Sequence, residues 1–102
     1  MIIEFSPVRS DESLTVTAHG DVVNINGEVF DFSSLSEGAT LPREAIGSGW
    51  LSGPVERING ELHMTLRLPH GPNPPKHVAF PEPIIVTEDG PVPLPTDEDY
   101  QP

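Results

Sequence analysis

Two Asn-Gly dipeptides, Asn26-Gly27 and Asn59-Gly60, constrain this chain more than any other feature of its sequence. A two-residue type I′ turn needs φ > 0 at both central positions, and Asn followed by Gly meets that need at least cost. Taking each dipeptide as a two-residue loop fixes the register around it. At the first, Ile25 faces Glu28 and Val23 faces Phe30. Val23, Ile25, Phe30 and Phe32 then share one face, and Val22, Asn24, Val29 and Asp31 the other. At the second, Ile58 faces Glu61, Arg57 faces Leu62 and Val55 faces Met64. Val55, Leu62, Met64, Leu66 and Leu68 form an apolar face, opposite Glu56, Glu61, His63, Thr65 and Arg67. The turn chemistry and the period-2 alternation agree, which argues for antiparallel hairpins over 20–32 and 54–68. The two sites lie 33 residues apart, but two copies are too few for a solenoid, which needs at least three.

Proline divides the rest. Ten of the 13 prolines fall at or after Pro69. Residues 1–68 therefore read as a β domain and 69–90 as a proline-rich extension, in which Pro83-Ile84-Ile85-Val86-Thr87 suits an edge strand. Residues 91–102, with three X-Pro units and the acids Asp97-Glu98-Asp99, read as a disordered acidic tail. Within the body, Leu14-Thr15-Val16-Thr17 alternates as a strand does. Ser33 to Gly53 reads as loop, with at most one helical turn over Leu41-Pro42-Arg43-Glu44-Ala45-Ile46, ended by Gly47. The expected fold is mainly β, the two hairpins packing as a small antiparallel sandwich or barrel with an extended C-terminal segment.

Charge and composition narrow the function. The formal net charge is −11, from 16 acidic residues against five Lys and Arg. The cations Arg9, Arg43, Arg57, Arg67 and Lys76 are scattered, whereas binding a phosphate backbone needs a basic footprint. No nucleic acid partner is expected. No apolar run approaches the 18 or so residues of a membrane span, so no membrane partner is expected either. There is no cysteine, and the start of the chain lacks the basic residues of a signal peptide, which suits a protein made in a cytoplasm.

No reaction is legible. His19, His63, His70 and His77 lack the close pairs of a metal site, and Asp97-Glu98-Asp99 lacks the spaced ligands and glycine of a calcium loop. The loop serines sit in no nucleophile elbow, and Gly47-Ser48-Gly49 has no phosphate-loop lysine. We expect no catalytic residue, no metal and no cofactor, and a protein that is not an enzyme. Two features suit protein contact instead. Trp50, the single tryptophan, follows Gly47-Ser48-Gly49 and reads either as a binding anchor or as a lid on a small core. Pro91, Val92, Pro93, Leu94 and Pro95 read either as a ligand for a partner's aromatic groove or as a plain tail.

Several strings carry a resemblance. Ile25-Asn26-Gly27-Glu28-Val29-Phe30-Asp31-Phe32, Glu37-Gly38-Ala39-Thr40-Leu41-Pro42 and Gly53-Pro54-Val55-Glu56-Arg57-Ile58-Asn59-Gly60-Glu61-Leu62, with Leu68-Pro69-His70-Gly71 and Phe80-Pro81-Glu82-Pro83-Ile84, resemble a group of small proteins encoded in prophages and tailed phages of proteobacteria. That resemblance spans nearly the whole chain and implies a place in tail gene clusters near fibre and tip genes. It implies a structural or assembly protein, in the host cytoplasm when made or in the virion, whose protein partners would be tail fibre or tip proteins. The alternative reading, from acidity and size, is a nucleic-acid mimic that inhibits a host protein. Open strand edges leave monomer and homodimer equally compatible with the sequence.

Overall fold

Positive φ at Asn26 (51°) and Gly27 (88°), and again at Asn59 (52°) and Gly60 (80°), turns the backbone sharply at two places. Around the first turn, β3 (Val22–Ile25) pairs antiparallel with β4 (Glu28–Asp31), setting Ile25 opposite Glu28 and Val23 opposite Phe30. Around the second, β6 (Val55–Ile58) pairs antiparallel with β7 (Glu61–His70), setting Ile58 opposite Glu61 and Arg57 opposite Leu62. The computed structural model describes residues 1–74 and 76–94. It is mainly β and holds the two pairs in different sheets. One is four-stranded, in the order β4-β3-β2-β9, with β2 at Val16–His19 and β9 at Gly90–Pro91. The other is five-stranded, β5-β6-β7-β1-β8, with β1 at Ile2–Arg9, β5 at Thr40–Leu41 and β8 at Ile84–Ile85.

The sheets face each other across one core. Val16, Ala18, Val23 and Ile25 come from the four-stranded sheet and Ile3, Val55, Leu62, Met64 and Leu66 from the five-stranded one, all buried. Along β7 every second residue from Leu62 to Leu68 is buried and those between are half-buried, as a strand covered on one face requires. The sheets keep separate edge strands and do not close into a barrel. The wholly antiparallel arrangement expected from the hairpins is also corrected. β1 pairs parallel with β7 over its full length, from Ile2 opposite His63 to Arg9 opposite His70. Parallel neighbours need a long crossover rather than a turn. Here β2, β3, β4, β5 and β6 lie between them in sequence.

Two prolines sit inside this parallel pair, where a missing N–H ought to break the ladder. Alternation explains both. The Ser10 N–H donates to the His70 carbonyl at 3.0 Å, so the even residues of β1 point their backbone groups at β7 and Pro7 points away. In β7 the Arg67 N–H donates to the Trp50 carbonyl at 2.8 Å, so Pro69 points toward that same outer side, past the last bonded neighbour. Strand β7 thus continues through Pro69 and His70, the first residues of the segment read from sequence as a proline-rich extension.

The chain after Pro69 is held against the body. A short helix over Lys76–Ala79 buries Val78 completely. β8 lies at the sheet edge, antiparallel to Ile2 and Ile3. The Met1 amino group donates to the Val86 carbonyl at 3.2 Å and to the Glu61 carboxylate, which holds the Glu61 carboxyl below the usual range. Residues 91–94 do not belong to a free acidic tail. Gly90 and Pro91 pair with Ala18 and Thr17, and the Val92 N–H donates to the Val16 carbonyl at 2.8 Å. Val92 is buried in the core and Leu94 packs against it, because burying two apolar side chains outweighs the pull of flanking prolines toward solvent. The acids Asp97-Glu98-Asp99 lie outside the described residues.

Candidate functional site

A cleft of about 420 Å³ opens where the end of β1, the loop after it, the β3–β4 turn and the approach to β6 converge. Each wall has a local cause. β1 delivers Val8 and Arg9, and the chain then turns so that the Glu12 N–H donates to the Ser10 hydroxyl at 3.1 Å. Asn26, at the turn, clips the same loop: its Oδ1 accepts from the Thr15 N–H at 2.7 Å and its Nδ2 donates to the Ser13 carbonyl at 2.8 Å. That places Glu28, the first residue of β4, on the rim.

Gly49, Trp50 and Arg67 form the remaining wall. Trp50 is strapped to β7 by the Arg67 N–H bond to its carbonyl, by the Leu51–Leu66 bridge beside it and by the Ser52 N–H bond to Thr65 at 3.0 Å. Its own N–H donates to the hydroxyl of the buried Ser48 at 3.2 Å. The indole is half-buried and packs on the core, so it serves as a lid while part of it lines the cleft.

Two of the chain's five cations, Arg9 and Arg67, line this one cleft. Neither forms an ion pair among the described residues, and the Arg67 Nε is buried with no hydrogen-bond partner there. A buried guanidinium N–H without an acceptor is costly, and a carbonyl or carboxylate oxygen relieves that cost. Glu12 and Glu28 are exposed on the rim, where solvent screens them. Tryptophan and arginine are both enriched among the residues that carry binding energy at protein interfaces. The arrangement can grip an acceptor group next to an apolar surface. Among the described residues Ser10 supplies the hydroxyl of the lining; its oxygen accepts from the Glu12 N–H at 3.1 Å and its own N–H donates to the His70 carbonyl at 3.0 Å.

The residues singled out in the sequence do not gather at one place. Trp50 lines the cleft. Val92 is buried in the core, Leu94 is half-buried, Pro91 and Pro93 are exposed, and Pro95 lies outside the described residues. Arg9 and Arg67 were read as two of several scattered cations. Both line the cleft where β1 and β7 run parallel, with Ser6 opposite Arg67 and Arg9 opposite His70, and no local pattern announces that pairing. Among the described residues no group of three His, Asp or Glu side chains could hold a metal ion, and no helix is long and apolar enough to cross a membrane. His19 instead lies 3.1 Å from Asp89, both largely exposed. Comparison with known protein families, with curated proteins and with solved structures found no match.

Proposed function

We propose that this protein acts by binding another protein, as a structural or assembly component of a phage tail, and that the cleft beside Trp50 is where the partner docks. The observation that carries the reading is one cleft lined both by Arg67, whose buried Nε has no hydrogen-bond partner among the described residues, and by the half-buried Trp50. Strand edges add to it. β4 lies at the edge of its sheet with Val29 65% exposed, and an unpaired edge of that kind accepts a further strand. The phage setting, and tail fibre or tip proteins as partners, come from the sequence resemblance alone.

The test combines purified virions with purified tail proteins. The protein should be found in virions or should bind a fibre or tip protein in solution, and Trp50→Ala should weaken that binding at least tenfold. Capture of a host nuclease or polymerase instead would favour the nucleic-acid mimic. Salt-dependent binding of nucleic acid at physiological ionic strength, with no protein partner, would overturn the reading.

A further inference from the structure

We propose that the open edge of β4 takes up an extended segment of a partner protein as a further antiparallel strand, with a basic, an apolar and a β-branched residue opposite Asp31, Phe30 and Val29. This names the partner class for the protein-binding reading above and rests on it. Among the described residues the two sheets end in β5, β8, β4 and β9. Three of these edges are blunted in the usual way, by shortness and by proline. β5 and β8 have two residues each, with Pro42 after the first and Pro83 before the second, and β9 contains Pro91. β4 has four residues and no proline. Its backbone is set to pair. Ile25 lies opposite Glu28, and the Phe32 N–H donates to the Asp21 carbonyl at 3.0 Å, so the even residues of this segment bond inward to β3. Val29 and Asp31 therefore point their N–H and C=O groups outward, and no hydrogen bond engages them among the described residues.

Side chains select what pairs there. Residues directly opposite share a face, so a partner residue opposite Val29 lies beside a side chain that is 65% exposed. One opposite Phe30 lies on the core-facing side, beside a ring that is only half-buried. Asp31 is exposed and forms no ion pair among the described residues, so a Lys or Arg opposite it gains a free carboxylate. The Glu28 end selects no charge, because Glu12 and Glu28 line the cleft there together with Arg9 and Arg67. An antiparallel partner therefore reads basic, apolar, β-branched from its N-terminal side. A second copy of this chain fits the edge poorly. No Lys or Arg lies between Arg9 and Arg43, so a hairpin paired with its own copy offers Asp31 no cation, and two chains of formal charge −11 repel each other.

The probe is a synthetic peptide blocked at both ends, Ser-Thr-Lys-Leu-Val-Thr-Ser, added at millimolar concentration to the full chain. NMR hydrogen exchange of the Val29 and Asp31 amides should slow about tenfold at saturation. The same peptide with Glu in place of Lys, or with its sequence reversed, should bind at least about fivefold more weakly. Val29→Pro removes an outward N–H and leaves the β3 ladder intact, so binding should fall about tenfold while the circular dichroism spectrum is kept. Asp31→Lys, which leaves the backbone unchanged, should move the preference to the Glu peptide. Unchanged exchange at Val29 and Asp31, or equal binding of the Lys and Glu peptides to the parent chain, would overturn the proposal. Protection of these amides without peptide, growing with protein concentration, would overturn it in favour of a second copy. Slowed exchange combined with no effect of Trp50→Ala on partner binding keeps the edge and removes the cleft. The opposite combination removes the edge and keeps the cleft.

Discussion

The Arg57 guanidinium lies 3.0 Å from the Asp21 carboxylate and ties the five-stranded sheet to the β2–β3 turn of the other. Arg57 shares the core-facing side of β6 with Val55, so its side chain runs between the sheets rather than into water. Its Nε donates to the Leu35 carbonyl at 2.5 Å and its Nη2 to the Phe32 carbonyl at 3.0 Å. Its side chain is only 13% exposed, against 41% for Asp21. The carbonyls therefore matter more than the ion pair, which solvent weakens. Arg57→Met should cost about 2–4 kcal/mol, because it strands buried carbonyls, whereas Asp21→Asn should cost no more than about 1 kcal/mol. Chemical denaturation of both variants checks the ranking, and equal losses would refute it.

Leu66 is fully buried between the sheets. Leu66→Ala should destabilise the protein by about 2–5 kcal/mol through lost transfer energy and the cavity left behind. The measurement is the denaturation midpoint at constant m-value. An unchanged midpoint would mean that the apolar stripe of β7 is not covered in solution.

Val92 is 6% exposed and hydrogen-bonded through its backbone to Val16. Val92→Ala should lower stability by about 1–3 kcal/mol. For a domain of this size that corresponds to a fall of at least about 4 °C in Tm. A calorimetric scan that shows no fall would free residues 91–94 from the core.

Asp31 should make part of the stability acid-sensitive. The Ser33 hydroxyl, and then the Ser33 N–H that donates to Asp31 Oδ1 at 2.9 Å, hold this carboxyl below the usual aspartate range. A depressed folded pKa means that the contribution is present above the unfolded value of about 3.9 and is lost as pH falls through the lower folded one. Asp31→Asn should flatten the stability profile below about pH 4 and leave its shape unchanged near neutrality. NMR titration of the Asp31 carboxyl measures the shift directly.

The mainly β class was legible because alternation is a local signal, and the run from Leu62 to Leu68 buries every second residue. β1 was not. Ile2-Ile3-Glu4-Phe5-Ser6-Pro7-Val8 alternates poorly, contains a proline and finds its partner about sixty residues away. Pro91-Val92-Pro93-Leu94 has the composition of an extended tail, and only the exposed edge of β2 makes it a place for Val92 to enter the core. The site inherits the same difficulty. Trp50 stands out by its rarity, but Arg9 and Arg67 reach the rim of one cleft only through the β1–β7 pairing, which sequence spacing does not encode.

The parallel pairing of β1 with β7 also sets a timetable for the protein's birth. Ile2 emerges from the ribosome before its neighbour His63, which is synthesised about sixty residues later, and Ile84 and Ile85 come later still. At about 5–20 residues per second, β1 waits roughly 3–12 s with its Ile2-Ile3 edge unpaired. Meanwhile β2, β3 and β4 are complete by Asp31 and can close locally. Co-translational assembly should therefore begin with the smaller sheet, and the nascent chain should stay vulnerable to proteases and chaperones until β7 has cleared the exit tunnel.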